Sequence, residues 1–196
     1  MDVSGEIQMI SNRVYEYCLT AWNNLKANAY RWHPELNTDA ERTISRMFYQ
    51  AVFDTCPNKT GLSTVAGAKS TDEGMTDDHY MAPQTVAKYV METPELLNDY
   101  KKFEELFLFC RQTIVVTKEQ NRELANITKK QPVLTKDKYY YLGYDLYLDG
   151  EKLPEHNQVL DVPEDFTEWE SKFIKNDFRP TTVHIPEVST LEEFFV

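Results

Sequence analysis

Cysteine is scarce in this 196-residue chain: Cys18, Cys56 and Cys110 are an odd number, widely spaced, and form no C-x-x-C pair. That excludes a disulfide framework and a zinc knuckle, and leaves the three as small apolar residues expected inside a core. Long apolar runs are also missing. No stretch approaches the roughly 20 residues needed to cross a bilayer, and the opening residues "MDVSGEIQMI" lack the basic and apolar regions of a signal peptide. A soluble, cytoplasmic protein with no membrane contact is expected. Internal repeats and low-complexity tracts are absent too, which excludes solenoids and linker-like chains.

What is present is a globular composition. Hydrophobic residues make up 41% and aromatics 13%, enough for one real core with a small appended module. The net charge of −11 is unevenly spread. Residues 137–196 carry 14 acids against 5 bases, whereas Lys101 to Lys136 carry 8 bases against 4 acids. A boundary near 136/137 is therefore expected, with a first domain over 1–136 and an acidic C-terminal part over 137–196. Acidity on this scale opposes phosphate binding, but it lies in the tail.

Periodicity predicts an α+β fold. Apolar residues from Ile7 to Leu25 follow helical spacing, and "TDAERTISRMFYQAVF" begins a second helix near Asp39 with Ile44, Met47, Phe48, Ala51 and Val52 inward. "CPNKTGLSTVAGAKSTDEGMTDD" reads as loop with one short strand. "PQTVAKYVME" and "TPELLNDYKKFEELFLFC" are helical, the second with Thr93 as cap and Pro94 at its first position. "TIVVT" is a strand that runs at Thr117 straight into the helix "KEQNRELANITKK". "KYYYLGYDLYLDGEKLP" is expected to be a β-hairpin turning at Asp149-Gly150. The helix "FTEWESKFI" and an irregular arm close the chain.

One stretch invites a chemical reading. In "MTDDHYMAPQ", Asp78 and His79 end a strand, where neighbouring side chains point to opposite faces unless the strand end twists. A neutral histidine suits water activation near pH 7, and oxygen donors such as Asp and Asn suit Mg²⁺ or Mn²⁺. Asn121, in the first turns of the helix after "TIVVT", could supply a second oxygen if that helix packs against the strand of Asp78.

"DHYMAPQ" followed by "TIVVTKEQNRELANITKK" resembles the HNH, or ββα-metal, endonucleases. It is similar to the phage-borne enzymes and to the HNH domain of RNA-guided CRISPR nucleases. The likeness spans about Met75 to Lys130. It implies a ββα-metal element, which joins the readings from periodicity into a mainly helical N-terminal part carrying that element, with a C-terminal β-hairpin and arm. It also implies hydrolysis of DNA by His-activated water: His79 is the base, and Asp78 and Asn121 hold a divalent cation, Mg or Mn. The family's middle Asn, which orients the base, falls near Gln112 or Thr113, neither of which is Asn. Lys118, Arg122, Lys129 and Lys130 together suit a solvated helix face and phosphate contacts beside a metal equally well.

The bland readings stand beside this one. Asp165, Glu170 and Lys172 mimic the Asp…Glu-x-Lys order of another nuclease class, but their spacing is helical. The tyrosines from Tyr139 to Tyr147 suit base stacking or, more commonly, packing. The alternative function is a non-catalytic interaction protein whose acidic C-terminal part binds a basic protein partner.

Overall fold

The structure, a computed structural model, describes residues 3–28, 47–54, 57–130, 134–154, 160 and 162–174, without the side chains of 3–12, 28 and 128–130. The expected helix over 39–46, the arm from Arg179, Cys56 and the side chains of Lys129 and Lys130 lie outside these residues. Within them, seven α-helical segments and five strands form an α+β fold.

Helix α1 (Val3–Asn28) buries Cys18, Ala21 and Leu25 in a row. Its Trp22 packs edge-on against Tyr100 and donates Nε1–H to the Leu97 carbonyl at 3.0 Å, which fixes α1 on the helices that follow. Helix α2, described over residues 47–53, buries Tyr49, Val52 and Phe53, while Met47 is 65% exposed and Phe48 45%. Val52 is inward as expected, while Met47, Phe48 and Ala51 are not. Two apolar stripes compete on that helix, and Phe53 decides between them because its ring meets Phe103 and Phe107.

The sheet has the order β2-β3-β1-β4-β5. β1 (Asn58–Ser63) runs parallel to β3 (Gln112–Thr117), and β2 (Met75–His79) runs antiparallel to β3. Between β2 and β3 the chain makes α3 (Pro83–Glu92), a 3-10 turn (Pro94–Asn98) and α4 (Tyr100–Cys110). Thr93 does not open a continuous helix here. Its hydroxyl donates back to the Tyr89 carbonyl, and Asp99 caps α4 instead, its Oδ1 accepting from the backbone N–H of Lys101 and Lys102.

At the expected junction β3 passes without a loop into α5 (Lys118–Lys130). A reciprocal capping box holds it. Gln120 Oε1 accepts from Thr117 N–H at 2.9 Å, and Thr117 Oγ1 accepts from Gln120 N–H at 3.0 Å. Residues 135–141 then form a 3-10 turn and the short α6 (Lys138–Tyr141), where the sequence suggested the start of a strand. The hairpin is shorter than expected, with β4 (Tyr147–Leu148) and β5 (Glu151–Lys152) around Asp149 (φ 51°) and Gly150 (φ 86°). Two consecutive left-handed residues are what a tight two-residue hairpin turn requires.

β4 pairs with β1, so residues on both sides of 136/137 share one sheet. α7 (Glu164–Ser171) buries Phe166 and Trp169 against Tyr89, and Trp169 Nε1 donates to Glu92 at 3.0 Å. Ile114 and Val116 face the apolar core, while Thr113 and Val115 face a groove beside Lys59, Gly61 and Ser63.

Candidate functional site

The register of β2 on β3 assigns each residue of "TDDH" to a face. Asp77 lies opposite Val115, and His79 opposite Thr113, so both project toward the groove side. Asp78 lies opposite Ile114 and projects toward the core. The two residues of the Asp-His pair are therefore on opposite faces, as period-two alternation demands.

On the core side one oxygen of Asp78 carries two bonds. Its Oδ2 accepts from Lys138 Nζ at 2.7 Å and from the Tyr139 hydroxyl at 2.5 Å. The Lys138 ammonium also donates to the His79 carbonyl at 2.6 Å, so it ties the side chain of one residue to the backbone of the next. Lys138 as a whole is only 8% exposed. Tyr139 is stacked on Tyr80, with ring centroids 5.9 Å apart, and the ammonium sits 4.9 Å from the Tyr139 ring centre. Burial, and then the charge of Asp78, holds the Tyr139 phenol well above its ordinary pKa, so it is a hydrogen-bond donor at any physiological pH.

His79 has different surroundings. Its Nδ1 lies 3.8 Å from Asp54 Oδ1, and its buried Nε2 meets no partner among the described residues. Desolvation lowers its pKa below 6.5 against the opposing pull of Asp54, Asp78 and Asp77, with Lys138 adding to the lowering. The imidazole is neutral at pH 7. Thr113, directly across the ladder, turns its hydroxyl to the Asn58 carbonyl at 3.4 Å. Gln112 has its Oε1 buried without a partner among the described residues, and alternation places it on the Asp78 side rather than the His79 side. Asp77 has one oxygen 3.8 Å from Lys59 Nζ, and its other oxygen is buried and unpartnered among the described residues.

Asn121 stands half-buried in the first turn of α5, and Lys118 and Arg122 are exposed on the same helix. The arrangement does not fit a divalent cation at Asp78 Oδ2, where an ammonium and a phenol already sit, and the described residues contain no group of three or more His, Cys, Asp or Glu able to hold a metal.

Sequence reasoning missed Lys138 and gave Tyr139 only stacking or packing, yet these two residues decide how Asp78 behaves. The available signal was a lysine set directly before three tyrosines in the otherwise acidic C-terminal part. Glu170, suggestive in sequence, is structural: its carboxylate accepts from Thr135 N–H at 3.0 Å and Thr135 Oγ1 at 2.6 Å. Burial pushes its pKa up to about 7 despite those bonds and the nearby Lys138. No helix among the described residues is long and apolar enough to cross a membrane. Comparison with protein-family models, with curated proteins and with solved structures finds no match to this chain.

Proposed function

We propose that this chain is a non-catalytic interaction protein in which the Asp78-His79 pair serves the fold. One observation carries the reading: one oxygen, Oδ2, of the carboxylate that would bind a metal is taken by Lys138 and Tyr139, on the face of the sheet opposite the imidazole that would activate water. A base and a metal ligand that attack one phosphodiester must converge on it. Charge selects the partner class. With −11 overall and 14 acids in residues 137–196, the favoured partner is a basic protein surface, bound faster and tighter at low ionic strength.

The endonuclease reading keeps support from two features, namely antiparallel β2 and β3 feeding directly into α5, and a neutral, desolvated His79 whose buried Nε2 has no partner among the described residues. It requires Asp78 and Asn121 to hold Mg²⁺ or Mn²⁺, with Lys118 and Arg122 on DNA phosphates. Plasmid nicking in either metal separates the two readings. The expected result is no cleavage by the wild type. Nicking that disappears in His79→Ala would restore the nuclease and remove our proposal.

A further inference from the structure

We infer that the Asp78-His79 corner is a cation site whose resident cation is the chain's own Lys138 ammonium, so that this corner is assembled without metal. The donor set is that of a cation site: a carboxylate oxygen and a backbone carbonyl lie 2.7 and 2.6 Å from Nζ, and two tyrosine rings stacked on each other lie beside it. The Tyr139 hydroxyl shares the same carboxylate oxygen. Because Lys138 opens α6, its side chain also anchors residues 135–141 to the end of β2. Lysine is rarely buried unless paired, and a buried pair broken on one side leaves an uncompensated charge. The ammonium thus does structurally what a bound ion would do, with no dependence on ion supply. The inference rests on the reading above only in taking Asp78 as structural.

A thermal-denaturation cycle on the full chain tests it. Lys138→Met and Asp78→Asn are each expected to lower Tm by roughly 5–10 °C, with the double variant nearer the wild type than Lys138→Met is. Additive losses would overturn the inference. If Lys138→Met fails to fold, folding regained in the double variant supports the inference, and folding not regained overturns it. Propylammonium is expected to raise the Tm of Lys138→Ala but not that of the wild type or of Asp78→Asn/Lys138→Ala; an equal effect on all three would count against the site. EDTA and Mn²⁺ are expected to leave the wild-type Tm unchanged, whereas an Mn²⁺ stabilisation abolished by Asp78→Asn would show that a metal, not Lys138, belongs there. Nicking reads the function and the thermal cycle reads the cation, so either can fail while the other stands.

Discussion

His79 is a half-buried ionisable group and Glu170 a buried one, and they pull the pH dependence of stability in opposite directions. The folded state holds His79 neutral below its ordinary pKa of 6.5, so the unfolded chain binds the extra proton. Its contribution is fully present above pH 6.5 and is lost as the pH falls below that value. Glu170 is the reverse: its folded pKa of about 7 exceeds the ordinary 4.5, so the folded state binds the extra proton and stability declines as the pH rises from 4.5 through 7. Glu170→Gln should therefore stabilise the protein on the order of 2 kcal/mol at pH 8 and little at pH 4.5, as chemical denaturation at the two pH values would show. A histidine titration followed by NMR should find the His79 midpoint below 6.5; a midpoint above it would mean that Asp54 outweighs burial.

Among the elements, the junctions carry separable amounts of stability. Gln120→Ala removes one arm of the capping box between β3 and α5 and should cost about 1 kcal/mol, and Asp99→Ala should cost a similar amount at the start of α4. Urea denaturation with an unchanged m-value checks both. Helices with one apolar stripe, α1, α3, α4 and α7, were legible in the sequence because period and composition agree there. The strand-to-helix step at Thr117 was legible for the same reason. The inward face of α2 was not, since two stripes were available and only the distant Phe103 and Phe107 chose between them. The segment 138–141 reads as strand from its tyrosines, yet it is helical because Lys138 and Tyr139 must both reach Asp78. The candidate site followed the same division: alternation placed Asp78 and His79 on opposite faces, but a lysine 60 residues downstream determined what Asp78 binds.

For the whole molecule, the sheet and core join what the charge distribution separates. β4 lies against β1, Lys138 and Tyr139 bind Asp78, and α7 covers Tyr89. A chain ending at residue 136 should therefore fail to fold cooperatively, which circular dichroism and amide dispersion would reveal; a sharp thermal transition in that fragment would show that 1–136 stands alone. Phe166→Ala, which empties a fully buried site, should cost about 3–5 kcal/mol.

The sheet order also places β2 at one end, with β3 as its only neighbour among the described residues. A terminal strand invites pairing with strands of other molecules, and charge along it is a common deterrent. "MTDDH" carries two adjacent carboxylates there, one on each face, and Asp77 retains part of its exposure. Asp77 thereby guards solubility: Asp77→Val should leave the monomer folded at low concentration yet promote concentration-dependent self-association, measurable by light scattering.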